Sequence, residues 1–140
     1  MITEFKGEYR WLSNFHPCII MYEGLEFQSV EAAYQAMKTL DPEIRKMFTT
    51  YDASTAKREG RKIKVRENWN AIKKSIMAEL LLIKFQIPEL RDKLLATGDE
   101  ELVEGNWWND TYWGVCNGVG ENHLGKLLMA TRLYLQTFEN

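Results

Sequence analysis

An apolar stripe at helical spacing near the middle of the chain most constrains what this sequence can fold into. Trp69, Ile72, Ile76, Leu80 and Ile83 recur every three or four residues, the spacing that places side chains on one face of a helix. The stripe predicts a long helix from about residue 66 to residue 85. We expect it to be the central helix of the fold.

Shorter helices are predicted on both sides of this one. Ser29 is a good N-cap for a helix over residues 29–40, which Asp41-Pro42 ends. A short helix is predicted over residues 42–48, and Asp52 can cap another that runs to about Gly60. Pro88 and Gly98 bracket a further helix, and an apolar face over residues 121–137 predicts the last one.

The β-structure is expected to be small and mostly N-terminal. Residues 18–22 and 25–27 flank the turn Glu23-Gly24, which predicts a hairpin within a β-like stretch of 28 residues. Residues 102–104 are predicted as a short strand inside a loop region, 99–121, that is rich in Gly, Asn, Asp and Trp. The predicted class is α+β, a predominantly helical single domain with a small N-terminal hairpin.

Length and composition favour one ordinary globular domain over residues 1–140. The chain has 140 residues, a net charge of −2 and no Pro/Gly/Ser-rich linker, and its pI is near 5.8. That charge argues against a dedicated nucleic-acid binder. Cys18 and Cys116 lack the spacing of a zinc site or a disulfide framework, so reduced thiols are expected. Without an apolar leader or a spanning segment, we expect a cytoplasmic protein with no membrane partner.

The helix over residues 29–40 carries a candidate catalytic group. Glu31, Gln35 and Lys38 stand at i, i+4 and i+7, and therefore share one face. A carboxylate, an amide and a lysine together suit proton transfer, orientation and nucleophilic attack at a glycosidic bond. A surface helix with a solvated polar face would have the same spacing, and the spacing alone does not separate the two interpretations.

Two other segments allow both a functional and a structural interpretation. Residues 107–114 set large aromatic side chains around Asp110, which suits a heterocyclic base and sugar hydroxyls. The same residues could instead fill gaps between helices, with Asp110 capping a turn. Asn14 and Asn122 could likewise satisfy backbone groups of turns.

A basic stretch runs through residues 57–66 of a chain that is otherwise slightly acidic. It could attract a single phosphate or a nucleic-acid backbone. A solvated helix face is the alternative. Its members are Lys57, Arg58, Arg61, Lys62, Lys64 and Arg66.

Motifs of several familiar chemistries are missing. Residues 118–125 (GVGENHLG) fit neither nucleotide-binding glycine pattern. His16 and His123 have no ligand partner at metal-binding spacing. We predict neither a metal nor a cofactor.

An ordered set of motifs runs through nearly the whole chain. Its segments are WLSNF (11–15), FQSVEAAYQAMK (27–38), AKREGR (56–61), Trp69, KF (84–85), LLATG (94–98), Asp110, WG (113–114) and GENHLG (120–125). In this order and spacing they resemble the NADAR family of YbiA-like proteins. Two positions depart from the family pattern: His16 stands where a tyrosine often follows the LSNF motif, and Ala32 stands where SVEHAYQA carries histidine. The loss at Ala32 is expected to tune substrate choice.

The resemblance implies an N-glycosidase. Members cleave ribosylamino-pyrimidine phosphates of the early riboflavin pathway, and other branches act on ADP-ribose linkages, including ADP-ribosylated guanine in nucleic acid. It implies catalytic roles for Glu31, Lys38 and Asp110. Substrate-binding roles are expected for Asn14, Phe15, Tyr34, Gln35, Lys57, Arg61, Trp69, Trp113, Gly114 and Asn122.

The substrate and the mechanism remain open at this level. The expected partner is a small N-ribosyl phosphate or an ADP-ribosyl adduct, with nucleic acid only as a modified substrate. Glu31 could act in direct hydrolysis, or Lys38 could form a Schiff base with the ring-opened sugar. The rivals are a non-catalytic ADP-ribose or NAD-binding module and a small interaction protein that has kept the fold without the chemistry.

Overall fold

The computed structural model describes residues 1–139, which divide into two compact units. One contains residues 14–84, and the other contains residues 1–13 with those from 85 onward. The predicted α+β class is confirmed. None of the helices within residues 1–139 is long and apolar enough to cross a membrane.

The unit of residues 14–84 holds one hairpin and most of the shorter helices. Its elements are β1 (Ile20–Tyr22), β2 (Leu25–Phe27), α1 (Val30–Ala36), α2 (Pro42–Met47), a 3-10 helix (Phe48–Thr50), α3 (Ala53–Gly60) and α4 (Trp69–Lys84).

The predicted hairpin is confirmed. Strands β1 and β2 pair antiparallel with Ile20 opposite Phe27 and Tyr22 opposite Leu25. Glu23 and Gly24 both have positive φ, 51° and 76°, which is the backbone of a type I′ turn and matches the twist of the two strands. Ile20 and Phe27 are fully buried, so this end of the hairpin joins the core.

Local signals place the helix starts correctly. Asp41 accepts from the backbone N–H groups of Glu43 and Ile44, and Asp52 accepts from that of Thr55 at 2.8 Å. A carboxylate at an N-cap satisfies N–H groups that the helix cannot pair internally. Helices α2 and α3 therefore begin where the sequence predicts.

Helix α4 is the predicted central helix, with a different buried face. It runs from Trp69 to Lys84, a few residues shorter than expected. Ile72 and Ile83 are only half-buried. Met77 and Leu81 are buried instead. The buried face of α4 is therefore rotated about the helix axis relative to the predicted stripe.

The second unit contains the remaining helices and a two-stranded parallel pairing. The bracketing of α5 by a first-turn proline and Gly98, whose φ is +64°, is confirmed, and Arg132 of the last helix is buried against Thr97 and the Glu100 carbonyl. The elements are a 3-10 helix (Gly7–Leu12), α5 (Pro88–Ala96), β3 (Gly105–Asn106), β4 (Val115–Cys116) and α6 (His123–Phe138).

Two β-structure predictions are wrong in this unit. Gly7–Leu12 is a 3-10 helix rather than strand and turn, and residues 102–104 do not form a strand. Leu102 makes only an isolated bridge with Ile2, while the paired strands are Gly105–Asn106 and Val115–Cys116. Cys116 and Cys18 are not joined to each other in the structure.

Candidate active site

The start of α1 is fixed by hydrogen bonds from two directions. Ser29 Oγ accepts from the backbone N–H of Ala32 at 3.0 Å, which is the predicted N-cap. The backbone N–H of Glu31 donates to the carbonyl of Asn14 at 3.1 Å. The first N–H groups of a helix have no intrahelical partner, so these bonds stabilise the turn and hold Glu31 beside residue 14.

The polar face of α1 is buried, and the interpretation of a solvated surface helix is wrong. All seven residues of the helix are buried, because α1 packs against α3, α4 and both hairpin strands. Glu31 is 8% exposed and Gln35 is 6% exposed. A carboxylate in such a place needs hydrogen bonds, and Gln35 Nε2 donates one to Glu31 Oε2 at 2.6 Å.

Lys38 lies in the turn that follows α1, because the helix ends at Ala36, four residues earlier than predicted. Its Nζ is 5.9 Å from the centroid of the Tyr34 ring, within cation–π range. Burial lowers the pKa of Lys38 below its ordinary value. The Glu31 carboxylate opposes that shift, and Lys73 and Arg61 add to it. Lys38 thus holds a larger fraction of neutral amine than an exposed lysine does.

Aromatic side chains border the same helix. The rings of Tyr34 and Trp69 lie 5.1 Å apart at a tilt of 54°, and both are more than nine-tenths buried. Phe15 is 37% exposed, and Lys57 Nζ lies 5.6 Å from its ring centroid. Phe15 and Lys57 therefore form a more accessible pair than Tyr34 and Trp69.

Lys73 is a candidate that the sequence did not reveal as such. It stands on α4 four residues after Trp69 and four before Met77, so all three share a face. Trp69 contacts Tyr34, and Met77 Sδ accepts from Asn14 Nδ2 at 3.6 Å. The spacing of Trp69, Lys73 and Met77 is visible in the sequence and could have identified this lysine. It was missed because it stands among the apolar residues of α4 and outside the basic stretch.

Nine of the site residues predicted from the sequence belong to this one unit. A cavity of about 280 Å³ lies beside them, lined by Phe15, Ser29 and Asp52 among others but not by Glu31 or Lys38. The nine are Asn14, Phe15, Glu31, Tyr34, Gln35, Lys38, Lys57, Arg61 and Trp69.

Asp110 and Asn122 organise a loop in the other unit. Asp110 Oδ1 accepts from the backbone N–H groups of Tyr112 and Trp113 at 3.1 and 2.9 Å. Asn122 accepts from the Glu104 N–H and donates to the Leu102 carbonyl at 2.9 and 3.0 Å. Both residues therefore have the turn-satisfying role that was the structural alternative, and their roles toward substrate stay predictions.

Trp113 and Gly114 belong to the same loop. The Trp113 ring packs edge-on against Tyr112 with centroids 4.9 Å apart. A Cβ at Gly114 would overlap the Glu104 carboxylate and carbonyl, so only glycine allows the β3 and β4 segments to approach. Within residues 1–139, no group of three His, Cys, Asp or Glu side chains could hold a metal ion.

Comparison with known proteins gives one consistent result. A model of the NADAR domain matches residues 3–136. The chain is 39% identical over 131 residues to the N-glycosidase YbiA of Escherichia coli, covering 89% of this chain and 81% of that protein. It is 36% identical over 132 residues to the N-glycosidase Npun_R5314 of Nostoc punctiforme, covering 89% and 84%.

A longer relative and a solved structure agree with these. The riboflavin biosynthesis protein VVA0006 of Vibrio vulnificus is 38% identical over 131 residues, which cover 90% of this chain and 35% of that protein. The NMR structure of E. coli YbiA superimposes with a TM-score of 0.87 at 36% identity, covering 99% of this chain and 84% of that one.

Proposed function

The chain belongs to the NADAR family, and from that premise we propose that it hydrolyses the N-ribosyl bond of a ribosylamino-pyrimidine phosphate. The general reaction, hydrolysis of an N-glycosyl bond, is that of the relatives named N-glycosidases. The finer substrate is supported by the relative named as a riboflavin biosynthesis protein. Its products would be ribose 5-phosphate and a free amine base.

The observation that carries the proposal is the buried carboxylate of Glu31 next to a desolvated lysine. Glu31 accepts from Gln35 at 2.6 Å in a helix buried on every side. The low exposure strengthens electrostatic interactions with charge that develops nearby. As the base departs, C1′ becomes oxocarbenium-like, and a fixed carboxylate stabilises that centre or transfers a proton to the leaving nitrogen.

Lys38 offers a second route that suits a ribosylamine. The sugar ring opens to an imine at C1′, and the neutral amine of Lys38 adds to that carbon. The base nitrogen then takes up a proton and leaves, giving a Schiff base between C1′ and Nζ. Water hydrolyses the Schiff base, which releases the sugar aldehyde and restores the lysine. The net consumption is one water in both routes.

The phosphate of the substrate requires cations, and several lie around α1. Arg61 and Lys73 both act electrostatically on Lys38, and Lys57 lies over the Phe15 ring. We propose that this group receives the 5-phosphate. Lysine and arginine bind phosphate oxygens through charge-assisted hydrogen bonds, which suits the 5-phosphate of a free nucleotide-like substrate.

The test is a mass-spectrometric screen combined with one substitution. Purified protein is incubated with ribosylamino-pyrimidine phosphates, ADP-ribosylated guanine DNA, NAD and ADP-ribose, and release of base or sugar is measured. Glu31→Gln should lower kcat on the cleaved substrate by about 100-fold or more, because acid–base groups contribute about that much. Glu43→Gln, on the exposed first turn of α2, is the matched control and should leave kcat unchanged.

Each outcome of the screen separates a rival. Cleavage of the ADP-ribosylated DNA alone would replace the pyrimidine substrate with the nucleic-acid one. Binding without release of any product would favour the non-catalytic module. Full activity of Glu31→Gln with an unchanged melting temperature would remove Glu31 from the chemistry.

A further inference from the structure

Both polar atoms of the Gln35 side-chain amide face other residues of the protein. It is 6% exposed, and its Nε2 donates to Glu31 Oε2 at 2.6 Å. Its Oε1 is buried without a hydrogen-bond partner. An acceptor left in this state is costly in a protein interior, so some other requirement keeps the amide where it is.

Gly60 provides the space for that orientation. It is the buried last residue of α3, and a Cβ built on it would overlap Oε1 and Cδ of Gln35. Any other residue at position 60 would displace the amide from the backbone of α3. Glycine is itself unfavourable within a helix. The contact between Gly60 and Gln35 therefore combines a glycine that destabilises α3 with a buried acceptor that lacks a hydrogen bond.

The hydrogen-bonding chemistry fixes which end of the amide faces which neighbour. An ionised carboxylate only accepts hydrogen bonds, so Nε2 faces Glu31 and Oε1 faces Gly60. Neither polar group of Gln35 is then directed to a substrate. This differs from the substrate-binding role that the sequence resemblance implies for Gln35.

We propose that Gln35, seated against Gly60, is a positioning residue that fixes the orientation and charge of the Glu31 carboxylate. This inference rests on the proposed function of Glu31 and deepens it. The pair acts through Glu31, so its loss lowers turnover and leaves substrate binding nearly unchanged. Gly60 matters only because Gln35 is present.

That dependence can be tested by a double-mutant cycle of Gly60→Ala and Gln35→Ala. Each single variant should lower kcat by about 10-fold to 100-fold, the range that corresponds to loss of a hydrogen bond to a charged group, with KM within about two-fold. In the Gln35→Ala background the added methyl group meets no amide, so Gly60→Ala should have no further effect on kcat. Gln136→Ala, an exposed glutamine on α6, is the control.

The melting temperature provides the same cycle without a substrate. Gly60→Ala should lower it when Gln35 is present, and should leave it unchanged or raise it in the Gln35→Ala protein, since alanine favours helices. Additive effects of the two substitutions on melting temperature and kcat would overturn the inference and leave the N-glycosidase activity standing. A wild-type protein inactive on every N-ribosyl substrate would instead remove the proposed function, and with it the positioning role.

A pH profile separates positioning from a purely structural effect. Gln35→Met keeps the volume of the side chain and removes the donated hydrogen bond that favours the charged form of Glu31. Below the pH range in which Lys38 loses its proton, the limb of the kcat profile that Glu31 sets should therefore move to higher pH. An unmoved Glu31 limb with a lower plateau would mean that Gln35 only maintains the fold, and would refute the positioning role.

Discussion

The pH dependence of stability should be dominated in the mildly alkaline range by Lys84, the last residue of α4. Its side chain is 0% exposed. Burial lowers its pKa from 10.5 to about 8, and the electrostatic effect of the neighbouring Cys18 opposes that shift. The folded protein thus releases this proton at a lower pH than the unfolded chain does. Unfolding becomes less favourable as pH rises between the two values.

The size of the effect follows from the two pKa values. With 10.5 for the unfolded chain and about 8 for the folded protein, raising the pH from 7 to 9 adds about 1.3 kcal/mol to the free energy of unfolding. Lys84→Met retains most of the volume and removes the proton. Wild type should therefore gain about 1.3 kcal/mol relative to Lys84→Met over this range.

Urea denaturation followed by far-UV circular dichroism at pH 7 and pH 9 measures this difference. Groups that do not interact with Lys84 titrate alike in both proteins and cancel in the comparison. Cys18 interacts with Lys84, so both proteins carry Cys18→Ala. Lys74→Met, at an exposed position on the same helix, should follow the pH dependence of wild type. Equal pH dependence of wild type and Lys84→Met would refute the claim that burial depresses this pKa.

Three further predictions concern the site and one backbone turn. Borohydride added during turnover should trap a sugar adduct on Lys38. Because burial lowers the pKa of Lys38, kcat/KM should rise with pH in a range below the pKa of an ordinary lysine. A missing adduct and normal turnover by Lys38→Arg would exclude the Schiff-base route. Lys73→Gln should raise KM for a phosphorylated substrate about ten-fold, the worth of one charge-assisted contact, whereas Lys74→Gln should not; equal KM values would remove Lys73 from the phosphate site. Gly98→Ala should cost about 1–2 kcal/mol in urea denaturation, because its φ of +64° is strained for alanine; a change below about 0.3 kcal/mol would contradict that reasoning.

The elements that the sequence predicted correctly are those with local signals. Examples are the N-cap Asp52, the bracket of Pro88 and Gly98, and the Glu23-Gly24 turn. Each of these residues determines the backbone of residues close to it in sequence, so the signal is visible in the sequence itself. Gly7–Leu12 has no such signal, since a short 3-10 helix leaves no apolar period. The pairing of β3 with β4 joins segments about ten residues apart through two residues each, too few to produce an alternating pattern.

The sequence indicates which residues of the candidate site share a helix face, but not that this face is buried. Glu31 and Gln35 share a face because they are four residues apart, which the sequence alone indicates. Their burial comes from α3 and α4, which contact α1 from distant parts of the chain. The role of Gly60 is invisible in the sequence for the same reason, because its constraint is a contact with Gln35 twenty-five residues earlier.

The ionisation of Lys38 bears on which of the two routes the site favours. Direct hydrolysis uses Lys38 only as a cation, and a cation gains nothing from a lowered pKa. The Schiff-base route needs a neutral amine at the moment of attack. Burial lowers the pKa of Lys38, Lys73 and Arg61 add to that shift, and Glu31 opposes it without reversing it. In that route we propose that Glu31 carries protons between the departing base and the ring oxygen rather than stabilising a full positive charge. We therefore favour the lysine route for a ribosylamine, whose nitrogen lone pair opens the ring without a strong acid.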